Sequence, residues 1–180
     1  MEIFMGMDVY GNNPSAPEGQ YFRRSVWGWH PLADLVCDLA PEESGACTMW
    51  HTNDGDGLDA CRANTLGVRL QVLLDDGTVA KYIAERDDRI AALPSQICTY
   101  CNGTGVRTDA RAIEMGTHLR VIGTDTNEDE SHPRFGETGW CNSCNGVGQV
   151  RSSQTHYSVD ADDVSEFAAF LRVCGGFEIC

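Results

Sequence analysis

Two short stretches constrain this chain more than anything else in it: Cys98-Thr-Tyr-Cys101-Asn-Gly-Thr-Gly105 and Cys141-Asn-Ser-Cys144-Asn-Gly-Val-Gly148. Each reads C-x-x-C-x-G-x-G. Two thiolates two residues apart grip one metal ion from a single tight turn, and two such turns supply the four sulfurs that tetrahedral Zn²⁺ accepts. The glycines suit the same geometry, because a chain doubling back beside a metal needs φ values that a Cβ resists. The pattern predicts one zinc site built from Cys98, Cys101, Cys141 and Cys144. Four sulfurs complete the shell and leave no position for water, so the predicted ion is structural and not catalytic. The competing reading, two redox pairs, asks for a strand, a turn and a helix around each C-x-x-C, and no helical pattern follows either copy.

The repeated motif resembles that of the DnaJ-type cysteine-rich zinc domain, in which the first and last of four repeats share one zinc and the middle two share another. Two copies here imply that domain reduced to a single site. Neither His30-Pro31-Leu32 nor His132-Pro133-Arg134 is the His-Pro-Asp through which a J-domain stimulates its ATPase partner, so the resemblance implies no co-chaperone activity. Its remnant would be a holdase that binds unfolded polypeptide. The opening Met5-Gly-Met-Asp-Val-Tyr-Gly11 and the closing Gly175-Gly-Phe-Glu-Ile-Cys180 are similar to small proteins of bacteria and their phages.

At 180 residues the chain suits one domain and does not need a metal merely to make up for a small core. We expect residues 1–97 to form the N-terminal part of an α+β domain, 98–148 the knuckle pair with the 39 residues between its turns, and 149–180 the strand and helix that complete the same domain. No apolar run approaches a membrane span, and the first residues lack the pattern of a signal peptide. Nine cysteines would suggest disulfides in a secreted chain, but the number is odd and the motif claims four, which points to the cytoplasm. The other five, Cys37, Cys47, Cys61, Cys174 and Cys180, read mostly as buried thiols. With 13 basic against 27 acidic residues, direct nucleic-acid binding is disfavoured, since such binding depends on neutralising phosphates with Lys and Arg.

Hydrophobic periodicity predicts a first strand with Ile3, Met5, Met7 and Val9 on one face. The crowd of Tyr21, Phe22, Trp27 and Trp29 beside Arg23 and Arg24 reads as a core wall, or as a contact surface where exposed. Pro31 is placed to open a helix that buries Leu32, Leu35, Val36 and Leu39. Helices are predicted over about 58–75, burying Leu58, Cys61, Leu66, Leu70, Leu73 and Leu74 after a cap from Asn53, Asp54 or Asp56, and over about 79–93. Thr117 to Ile122 reads as a strand, and Thr124 to Ser131 as a solvated acidic loop. A returning strand is expected at Val150 and over Thr155–Val159, then a helix capped by Asp160 or Asp162, and a final strand carrying Phe177 and Ile179. The predicted class is α+β: about four helices on a small, mostly antiparallel sheet, with an inserted four-cysteine zinc hairpin.

Three functions follow. The first is a zinc-stabilised, non-enzymatic intracellular protein that binds a protein partner, such as a phage-encoded modulator of a host factor, through the acidic insertion or the aromatics near Trp27. The second is an enzyme using a cluster of His51, Asp54 and Asp8, with His30 and Asp56 as further candidates. The third is the holdase. Cys47 and His51 would form a further ligand pair only on a helix, and Asp54 and Asp56 lack the glutamate that completes a calcium loop.

Overall fold

The computed structural model describes residues 6–124 and 128–180. The chain divides into two compact units: Met1–Ala91 with Gln154–Cys180, and Ala92–Ser153.

The first unit is built on a four-stranded antiparallel sheet. Its strands are β1 (Gly6–Gly11), β2 (Tyr21–Ser25), β3 (Gly57–Asp59) and a later strand, β6 (Gly176–Ile179), in the order β2-β1-β6-β3. The period-two pattern does what it should: Met7 and Val9 of β1 and Phe177 and Ile179 of β6 are buried, while Tyr10 and Glu178 are exposed. Ile3 and Met5 lie outside the described residues. Helices α1 (Val26–Leu39), the short α2 (Pro41–Ser44), α3 (Ala60–Asp75), α4 (Thr78–Ala91) and α6 (Ala161–Val173) complete the unit. The class is α+β, as the periodicity implies.

The core is aromatic at its centre. Phe22, Trp29, Trp50, Phe167, Phe170 and Phe177 are buried with neighbouring ring centroids 5.0–6.4 Å apart, and Leu32, Leu35, Leu66, Leu70 and Leu171 surround them. The polar edge of Trp29 is satisfied, since its Nε1–H donates to the Trp50 carbonyl at 2.6 Å. Arg24 reaches from β2 to α6 and donates to Asp163 and Glu166. It is therefore a structural tie and not a free contact residue.

Several boundaries differ from the sequence expectation for local reasons. Helix α1 starts five residues before Pro31, because the Ser25 hydroxyl accepts the Gly28 amide and caps the helix there. Pro31 then forfeits one helical hydrogen bond inside the second turn. The cap of α3 is Asp59, which accepts the Arg62 amide, so Leu58 belongs to β3 and Cys61 stands exposed in the first helical turn. Cys180 is also exposed and Cys37 partly so, whereas Cys47 and Cys174 are buried. Asp160 caps α6 in a reciprocal box with Asp163.

The second unit has little regular structure: a two-stranded ladder of β4 (Gln96–Ile97) with β5 (Gln149–Val150), and the five-residue α5 (Ala110–Glu114), capped by Asp109. The stretch Thr117–Ile122 is not a strand. Gly116 sits at φ +69°, Thr117–Leu119 form a 3₁₀ turn, and a single bridge joins Val121 to Thr138. Thr155–Val159 also forms no strand, because Ser153–His156 closes into a 3₁₀ turn.

Candidate metal centre

Cys98, Cys101, Cys141 and Cys144 are buried, and their sulfurs all lie within 4.8 Å of one another. The Cys98 and Cys141 sulfurs are 3.8 Å apart and the Cys101 and Cys144 sulfurs 3.7 Å apart. These separations are far longer than the ~2.05 Å of a disulfide. They match the edges of a tetrahedron whose centre lies about 2.3 Å from each sulfur, a metal–thiolate bond length. The cluster can hold a metal ion.

Local backbone geometry creates this arrangement. In each turn the residue after the second cysteine takes a left-handed conformation, Asn102 at φ 51° and Asn145 at φ 52°. The amide four residues beyond that cysteine then points back at its sulfur: Gly105 N–H donates to Cys101 at 3.3 Å and Gly148 N–H to Cys144 at 3.2 Å. These last glycines are obligatory. A Cβ on Gly105, at φ +74°, would lie 2.2 Å from the Gly146 carbonyl oxygen, and one on Gly148, at φ +84°, 2.2 Å from that of Gly103. The contacts are reciprocal, so each knuckle packs its glycine turn against the backbone of the other.

The thiols titrate unevenly. Burial works against the thiolate at Cys98, but the amides of Cys101 and Tyr100 and the neighbouring thiols outweigh it and bring Cys98 down to about 7. Burial, with the adjacent Cys141 and Cys101 sulfurs, pushes Cys144 up to about 12. A bound cation is what would let all four sulfurs lose their protons together.

Residues between the knuckles brace the second one. His132 is buried; its Nδ1 accepts the Arg134 amide, which leaves Nε2–H to donate to the Asn145 carbonyl at 2.7 Å. Arg134 reaches the Gly146 carbonyl at 3.3 Å, the Trp140 indole donates to the Asn145 side chain, and Glu128 accepts from the same amide. The sequence signal was present in His132-Pro133-Arg134, a polar pair beside a rigid proline, but it carries no metal spacing that would single it out.

Of the other candidates, His30 and His51 meet, while Asp8 and Asp56 are engaged elsewhere. Asp8 pairs with Tyr21 and Arg23 on the sheet. Asp56 accepts the Thr48, Met49 and Gly57 amides and pins a loop. His51 instead meets His30, Nδ1 to Nδ1 at 2.9 Å, with Asp34 at 3.2 Å from its other nitrogen. Residues 47–51 form no helix, so the condition under which Cys47 and His51 would pair as ligands is not met; Cys47 is buried and His51 exposed. Of the tryptophans, Trp29 is core and Trp27 is 47% exposed, its ring edge-on to Tyr157.

Among the described residues no helix is long and apolar enough to cross a membrane. No protein-family model, curated protein or solved structure matches this chain.

Proposed function

We propose that this chain is a zinc-stabilised, non-enzymatic interaction protein in which one structural Zn²⁺ on Cys98, Cys101, Cys141 and Cys144 holds the second unit rigid for a protein partner. The observation that carries the reading is the buried four-sulfur cluster, whose spacing suits the ~2.3 Å Zn–S bond and whose thiolates are met by glycine amides. A full sulfur shell keeps water off the ion, which favours a structural role over hydrolysis. The resemblance of each turn to the DnaJ-type repeat supports zinc over other soft-ligand metals.

The zinc unit exposes Ile97, Tyr100, Ile113, Met115, Leu119, Phe135 and Val147, each between 44% and 68% accessible. Tyr100 carries the Arg107 guanidinium over its ring at 4.7 Å and, with Arg111 and Met115, lines a surface hollow. Tyrosine, arginine and methionine are the side chains enriched at protein contacts. We place the contact surface here, ahead of the acidic loop or Trp27. Nucleic acid fits poorly to a chain of net charge −14.

The test has two parts. Metal analysis of the purified protein should return one zinc per chain. Tagged protein should then enrich a defined partner from a bacterial lysate, and Tyr100→Ala with Met115→Ala should abolish the capture while zinc content stays at one. Zinc without selective capture, accompanied by suppression of aggregation of a denatured client, would replace this reading with the holdase.

A further inference from the structure

The first unit contains a cleft of about 570 Å³ that the metal centre does not touch. One wall is a face of α1 on which His30, Asp34 and Asp38 recur at helical spacing. The other is a face of α4 carrying Tyr82, Arg86 and Arg89. Acidic groups thus face basic ones, yet no ion pair joins either aspartate to either arginine among the described residues.

Asp34 lies 3.2 Å from His51 Nε2 and draws the His51 proton to that nitrogen. His51 Nδ1 is then a lone pair, so in the 2.9 Å contact between the two Nδ1 atoms His30 must donate. That leaves His30 Nε2 as an acceptor. Burial and the neighbouring His51 lower the pKa of His30, which keeps it neutral in that role. This wall therefore offers only acceptors: two carboxylates and an imidazole lone pair.

The α4 wall offers donors. Arg86 is 11% exposed, anchored by Nη2–H donation to the Tyr157 carbonyl at 2.7 Å, and its remaining contact is Asp87 at 3.4 Å, so most of its five N–H groups stay available. Arg89 is exposed and makes no ion pair among the described residues. Tyr82 donates its hydroxyl to Asp38 at 2.7 Å and holds that carboxylate in place.

We propose that this cleft binds a small zwitterion, an amino acid or similar molecule whose ammonium group meets Asp34, Asp38 and His30 while its oxyanion meets Arg86 and Arg89. A simple anion would satisfy one wall and be repelled by the other, and a simple cation the reverse. The volume is in the range of small-ligand sites.

The imidazole resonances of His30 and His51 in the full chain report occupancy by NMR. Glycine, 4-aminobutyrate and 6-aminohexanoate would be titrated at constant ionic strength beside acetate and methylamine. At least one of the three should bind about tenfold or more tightly than either singly charged compound. Arg89→Ala and Asp34→Asn, both at exposed side chains, should each weaken that binding by about tenfold with an unchanged melting temperature. Acetate binding as well as the amino acids would make the cleft an oxyanion site, and methylamine doing so would make it a cation site. Either result overturns the proposal, as does the absence of any imidazole shift up to about 50 mM ligand.

Discussion

Removing the metal should unfold one unit of this chain and leave the other standing. Outside its cysteines, the described apolar side chains buried in Ala92–Ser153 are Ala112 and Ile122. Fully burying a side chain such as isoleucine is worth about 1.5–3 kcal/mol, whereas a structural zinc site contributes about 10–16 kcal/mol. A bound ion would dominate that unit. The first unit has its own core around Trp29, Phe167 and Phe177 and survives, but it is still affected. With the ion bound, the pairing of Gln96 with Val150 holds the ends of the insertion together. Without it the first unit must close a free loop of about 60 residues instead of one of a few, roughly four doublings of length at about 0.6 kcal/mol each. A loss of about 2 kcal/mol corresponds to a melting temperature lower by roughly 6–10 °C. Hydrogen exchange read by mass spectrometry, with and without a zinc chelator, should show peptides within 92–153 exchanging freely while α3 and α6 stay protected. Tryptophan fluorescence should report the lowered melt. If 92–153 stays protected in protein proven to be metal-free, the unit has a source of stability that this reasoning missed.

Gly148→Ala should lower metal affinity by at least tenfold in a competition titration, because its Cβ meets the Gly103 carbonyl at 2.2 Å; Gly116→Ala, at φ +69° with nothing within 4 Å, should leave metal affinity unchanged and cost only about 1 kcal/mol of backbone strain. His132→Ala removes the donor to the Asn145 carbonyl and should weaken metal binding by about 10–100-fold, a loss that Gln should partly restore. Asp56→Asn tests a pH linkage. Burial works against the Asp56 charge, but the Thr48, Met49 and Gly57 amides outweigh it and hold the carboxyl below its ordinary range. A depressed folded pKa gives stability that is present above the unfolded value, near 4, and is lost as pH falls through the folded one. The variant should therefore be less stable by about 1–2 kcal/mol at pH 7 and converge on the parent at lower pH, as read by denaturant titration. A gap that stayed constant with pH would assign the loss to packing.

What was legible in the sequence followed from how local the cause is. The alternation in Phe177 and Ile179 and the helical spacing of Val164, Phe167, Ala168 and Leu171 each encode a buried face directly, and each is buried. The C-x-x-C-x-G-x-G turns were readable because one turn fixes both sulfurs and the glycine that answers them. Helix starts were less readable where several caps competed: Asn53, Asp54, Asp56 and Asp59 all can cap, and tertiary contacts decided that Asp56 would bind the Thr48 loop and leave α3 to Asp59. Within the second unit, periodicity misled over Thr117–Ile122, because a segment organised by a four-cysteine cluster and by side chains such as His132 need not form a sheet to bury Ile122.

The His51 environment shows why composition of a segment is a poor guide to partners. His51, Asp54 and Asp56 are neighbours in sequence, which made them look like one cluster. The side chains of His51 and Asp56 diverge, because Asp56 faces the loop it pins and His51 turns toward α1. The groups that do share a cleft, His30, Asp34 and His51 with Tyr82 and Arg86, come from two helices and a loop separated by up to 56 positions. No motif spans such distances, yet each half has its own helical period: His30, Asp34 and Asp38 on one, Tyr82, Arg86 and Arg89 on the other. A polar stripe on a helix whose opposite face is buried is ordinarily the solvated side. Here the acidic stripe of α1 and the arginines of α4 line one cleft, joined by the Tyr82–Asp38 hydrogen bond and by no ion pair among the described residues, so the gap between their charges has a direction that a dipolar ligand would read.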